Sequence, residues 1–166
     1  MANSDAMSIT PGGVPDGKRR RTPASTRLLH EWSLMQQWVV PPTYELRLGP
    51  TPLLPGAPVV SPEFERMLRV FNRYADLVGI TSTAIPVVEA KMVAEMGALS
   101  QLEHYVELVW QMGLSSQWPG KLVQGVLVWA VDDPIIHQRA ARYGFRVEVF
   151  APPWTEEYLA TRFYHR

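Results

Sequence analysis

The amino-acid sequence predicts an α/β protein: a mixed central sheet flanked by helices, with an N-terminal arm. Three observations carry this. Residues 122–131, LVQGVLVWAV, are nearly all apolar, as in a strand buried on both faces. Residues 74–80 and 84–93 read as two strands joined by the short turn Thr81-Ser82-Thr83. Between these stretches, Leu99, Leu102, Val106 and Val109 recur at helical spacing over residues 98–112. Strands alternating with helices make a sheet sandwiched by helices.

Composition sets the bounds. The chain has 166 residues, the size of one domain with an arm, and such a chain buries roughly two-thirds of its unfolded surface. Hydrophobic residues make up 46%, enough for a real core. Lys plus Arg and Asp plus Glu balance at 16 each, so any basic surface is local. Cysteine is absent, which excludes disulfides and thiolate metal sites. No apolar run approaches the ~20 residues of a membrane span. The first residues, MANSDAMSITPGG, lack the apolar centre of a secretory signal. A soluble protein, cytoplasmic or particle-associated, is expected.

Residues 1–26 read as a polar arm broken by Pro11, Gly12, Gly13, Pro15 and Gly17, with the basic run Lys18, Arg19, Arg20, Arg21 inside it. The run is either a solvated tail or an arm that neutralises phosphate or docks on a partner. Residues 27–166 form the single domain. Leu28, Leu29, Trp32, Met35 and Trp38 predict an amphipathic helix over 27–38, stopped by Pro41 and Pro42, with His30 and Glu31 on its wet side. TYELRL, 43–48, alternates as a strand, and a Pro- and Gly-rich loop follows. Ser61, Pro62 and Glu63 open a helix over 62–70. Gly97 leads into the helix 98–112, which Gly113 closes. After the apolar strand come a helix over 135–143 closed by Gly144, a strand over 145–150, and a last helix from Thr155, whose hydroxyl is placed to cap it.

The most specific pattern lies between Arg73 and Tyr105. Asp76 is on one strand, Glu89 and Lys91 on the next, and Gln101 and Tyr105 one turn apart on the helix. Magnesium takes hard oxygen ligands, commonly one or two carboxylates. Asp76 and Glu89, on adjacent strands, can converge on one ion. Glu89 and Lys91 leave the same face of their strand; Ala90 points the other way, but its backbone carbonyl can serve as a ligand. An ammonium beside the ion balances developing negative charge. Gln101 and Tyr105 share a helix face outside the apolar stripe.

Asp76 followed by Glu89-Ala90-Lys91 is similar to the signature of the PD-(D/E)xK nuclease superfamily. Gln101-Leu102-Glu103-His104-Tyr105 resembles the Q-x-x-x-Y motif of its RecB-like branch. The resemblance covers about residues 62–150 and implies a restriction-endonuclease-like core, αβββαβ. It implies a DNA nuclease dependent on Mg2+ or Mn2+, with Asp76 and Glu89 as ligands and Lys91 as the catalytic lysine. In many relatives a Glu on the preceding helix joins the site, and Glu65 or Glu63 stands at the matching place. Small lone domains resembling this family also occur in bacteriophages as virion components at the portal or neck. A nuclease-fold structural subunit, using the arm to embrace neighbouring subunits, is therefore the alternative expectation; a non-catalytic nucleic-acid adaptor is the third. Each motif also has a plain structural explanation: Asp76 capping a turn, Glu89 and Lys91 as a cross-strand ion pair, Gln101 and Tyr105 as helix surface, and Asp132 and Asp133 as a strand-end turn.

Overall fold

Helix α1 spans Pro23–Leu34. Thr22 is its N-cap, accepting the Ser25 N–H at 3.3 Å, and Pro23 takes the first helical position, where its missing N–H costs nothing. The helix thus begins four residues before the predicted start. It ends at Leu34, so Met35 is exposed and Trp38 packs from beyond the helix. The computed structural model describes residues 22–49 and 73–163. The basic run Lys18–Arg21, the predicted helix over 62–70, Glu63 and Glu65 lie outside the described residues.

Strand β1 is Val40–Leu48, β2 Arg73–Ile80, β3 Ala84–Val93, β4 Leu122–Val131 and β5 Arg146–Val149. They form one five-stranded sheet in sequence order, β1-β2-β3-β4-β5. The pairs β1–β2 and β2–β3 are antiparallel, and β3–β4 and β4–β5 are parallel. The sheet is therefore mixed, as expected. Pro41 and Pro42 do not stop α1; they lie in β1, where its register to β2 shifts between Val40 and Thr43. An edge strand tolerates prolines because its outer N–H groups need no partner.

Helix α2 spans Met96–Gln111, the four-residue α3 Leu114–Gln117, α4 Pro134–Arg142 and α5 Trp154–Phe163. Gly97 sits inside the first turn of α2 rather than in a loop before it. Gly113 and Gly144 follow α2 and α4 at φ 73°, the left-handed conformation glycine adopts without a Cβ clash. Asp133 caps α4 through its Oδ1, which accepts the N–H groups of Ile135 and Ile136 at 2.8 and 3.2 Å. The Thr155 hydroxyl does not cap α5; it donates to the Pro152 carbonyl at 2.7 Å.

Two cores sandwich the sheet. On one face Val87, Leu127 and Trp129 pack with Leu99, Leu102, Tyr105 and Val109 of α2, and with Ile136 and Ala140 of α4. On the other, Val88, Ala90, Met92, Val126 and Val128 pack with Leu28, Leu29 and Trp32 of α1 and with Trp154 and Tyr158 of α5. Each fully buried Leu or Val contributes about 1.5–3 kcal/mol over leaving it in water. Residues of β3 and β4 divide between the faces by strict alternation, which fixes where every charged side chain of β3 points.

Candidate active site

Glu89 and Lys91 share the parity of Val87, so both leave β3 on the face covered by α2. Ala90 faces α1, as its position between them requires. Parallel pairing sets Glu89 beside Leu127 and Lys91 beside Trp129, both buried. These apolar neighbours lower the local dielectric, so charges here act on one another more strongly than at the surface.

Glu89 is 1% exposed, and its Oε1 meets the Lys91 ammonium at 3.0 Å. Asp76 is buried on β2. The β2–β3 register pairs Leu77 with Val88 and Val78 with Val87. One residue further, the Asp76 carboxylate takes over: its Oδ2 accepts the Ala90 N–H at 2.9 Å. A side chain of β2 thereby binds the β3 backbone in the middle of the Glu-x-Lys segment. In a strand, a residue's N–H and C=O leave the same edge, so the Ala90 carbonyl also faces the β2 side.

Helix α2 brings the other two residues. Tyr105 is 8% exposed and belongs to the core, which corrects the expectation that it lies outside the apolar stripe. The Gln101 amide donates to its hydroxyl at 2.8 Å. That leaves the phenolic proton free to donate elsewhere. Electrostatics tie Tyr105 to the strands: burial raises its pKa above the ordinary value, Glu89 and Asp76 raise it further, and Gln101 and Lys91 oppose the rise. For Lys91, burial disfavours the charge, but Glu89, then Glu95 and Asp76, more than offset it and hold the ammonium above its ordinary pKa. Lys91 is a firm cation at neutral pH. Asp76 and Glu89 thus act electrostatically on both Lys91 of β3 and Tyr105 of α2.

Sequence reasoning missed Glu95. Its Oε1 lies 3.3 Å from the Lys91 ammonium, making a second partner for the lysine. It occupies the N-cap position of α2 without capping it. The readable signal was an acid four residues after Lys91 at a helix start whose residue type is a poor cap. Sequence reasoning also passed over His137. Asp132 joins it: Oδ2 meets the His137 Nδ1 at 2.8 Å and Oδ1 accepts the Trp129 indole N–H at 2.8 Å. His104 is half-buried.

The donor set suits a hard divalent cation, since two buried carboxylates and a backbone carbonyl are oxygen ligands of the type magnesium takes while keeping several waters. Among the described residues there is no cluster of three or more His, Asp or Glu that would make an all-protein cage. No family model matches the chain, and no curated protein or solved structure matches it either.

Proposed function

We propose that the protein is a metal-dependent DNA nuclease built on a restriction-endonuclease-like core. The single observation that supports this best is the convergence of Asp76, Glu89 and Lys91 across two antiparallel strands, with Tyr105 of the covering helix electrostatically joined to them. The element order supports it too. Three antiparallel strands are followed by α2 and by β4, parallel to β3, the αβββαβ order the motif implies.

In this reading Asp76, Glu89 and the Ala90 carbonyl would hold Mg2+ or Mn2+, which would supply a water of lowered pKa and polarise a phosphoryl oxygen. The chain's own residues do the rest. Lys91 presents ammonium protons beside the carboxylates, where negative charge develops on the phosphate. Gln101 orients the Tyr105 hydroxyl so that its proton is available to a substrate oxygen. Leu127 and Trp129 keep bulk water from the inner wall.

The test is cleavage of linear, circular and single-stranded DNA with Mg2+ or Mn2+, by the full chain and by Glu89→Ala and Lys91→Ala. The expected result is cleavage by the first and none by the variants, with melting temperatures showing that they fold. Cleavage retained in either folded variant removes the site. A second reading, a nuclease-fold structural subunit of a bacteriophage virion, is favoured by one observation. Leu34, Met35, Val39 and Val40 are exposed in a run from the end of α1 to the edge strand β1. No cleavage by any form, with a discrete ring by light scattering, would support that reading instead.

A further inference from the structure

We infer that Glu95 is a positioning residue: it holds the Lys91 ammonium when Glu89 is given over to a divalent cation. This rests on the metal-dependent reading and concerns how the metal and the lysine share one carboxylate.

The Lys91 ammonium bridges two acids of opposite character. Glu89, at 3.0 Å, is 1% exposed; Glu95, at 3.3 Å, is 55% exposed. A buried carboxylate needs a counter-charge. Lys91 supplies it here, on the very group that would ligate the ion. Two cations on one carboxylate repel, so entry of the metal and the Glu89–Lys91 contact compete. A lysine displaced from Glu89 with no other anion at hand would leave the site, at the moment its charge is needed there. Glu95 meets that need. It already touches Lys91, and it stands at the solvent-exposed edge of the group rather than in the interior. Lys91 is 27% exposed, and its flexible four-carbon stem lets the ammonium favour either acid.

The backbone holds Glu95 in place. Just before it, the Ala94 N–H donates to the Val131 carbonyl of β4 at 2.9 Å, pinning the β3–α2 junction. Glu95 then occupies the N-cap of α2 and makes no side-chain cap bond. Ser, Thr, Asp or Asn would cap there; a Glu side chain is too long and reaches Lys91 instead. The position forgoes helix stabilisation, and the contact to the lysine accounts for it.

The experiment is a calorimetric titration of Mn2+ into the full chain and into Glu95→Gln, Lys91→Met and the double variant, with Glu89→Gln as control; activity is not needed. Lys91→Gln serves as a second background. Glu95→Gln is expected to weaken Mn2+ binding about three- to fivefold, the range of a part-exposed ion pair. Lys91→Met is expected to bind at least as tightly as the parent, and adding Glu95→Gln to it to shift affinity by less than about twofold, since the effect runs through the lysine. An unchanged affinity in Glu95→Gln overturns the inference. So does an equal loss in the Lys91→Met background, which would make Glu95 a direct attractor of the ion. Glu89→Gln binding Mn2+ as tightly as the parent, or no binding by any form, would remove the metal reading and the inference with it.

Discussion

Tyr105 shows how one side chain joins the core to the candidate site. Its ring packs in the core under α2, its hydroxyl accepts from the Gln101 amide, and the charges of Glu89 and Asp76 hold its pKa up. Tyr105→Phe keeps the ring and removes the hydroxyl bonded to Gln101. The expected outcome is a stability change within about 1 kcal/mol, the size of one hydrogen bond, and, on the proposed nuclease reading, a clear fall in kcat for DNA cleavage. Equal kcat would separate Tyr105 from the chemistry. Asp132 carries a pH prediction. Burial pushes its carboxyl up, but hydrogen bonds from His137 and Trp129 and the nearby imidazole bring it below the ordinary value. A carboxylate depressed in the folded state stabilises above its unfolded pKa, and that contribution is lost as the pH falls through the folded value, here below about pH 4. Asp132→Asn should therefore flatten the acid limb of melting temperature against pH. A limb as steep as in the parent would contradict this.

At the level of elements, two close approaches decide the packing. A Cβ on Gly79 of β2 would stand 2.3 Å from the Trp38 ring, whose indole N–H is anchored on the Ser33 carbonyl at 2.9 Å. Gly79→Ala should cost roughly 1–3 kcal/mol, as overpacking of a filled core does, read as a lower denaturation midpoint. Gly125 is set the same way against Phe145, at 2.6 Å. Helix starts obey simpler rules. Thr22→Ala should cost about 1 kcal/mol through loss of the α1 cap. Glu95→Ser should leave α2 equally or more stable, because serine caps where glutamate does not. The candidate site spans three elements because β2 and β3 are neighbours in the sheet and α2 packs over them.

On the scale of the whole molecule, net charge is zero, so contact with a polyanion depends on where the charges lie. Lys18, Arg19, Arg20 and Arg21 are the densest basic run in the sequence, and they precede the Thr22 cap. A chain starting at Thr22 should keep its melting temperature within a few degrees. If the run contacts phosphates, that chain's slope of log binding constant against log salt for DNA should fall by up to about 3–4. An unchanged slope would take the arm out of DNA binding, and a large loss of melting temperature would show that it packs on the domain. Among the described residues, no helix is long and apolar enough to cross a membrane.

The sequence alone determined the α/β class, the limits of β3 and β4 to the residue, and the shared face of Glu89 and Lys91. Apolar runs and alternation are local signals, legible without a partner. It placed element ends less well. Thr22 and Pro23 spell a helix start, but Ala24, Ser25 and Thr26 carry no apolar rhythm to extend the periodic pattern back to them. Pro41 and Pro42 read as breakers because nothing local says that a strand is an edge. Only the tertiary structure decided that Tyr105 is buried, that Asp76 bonds the Ala90 N–H, and that Glu95 shares the lysine with Glu89. Each of these depends on which strands are neighbours and on which helix lies over them. Long-range pairing of that kind is settled by burial of the two sheet faces together, not by any window of sequence.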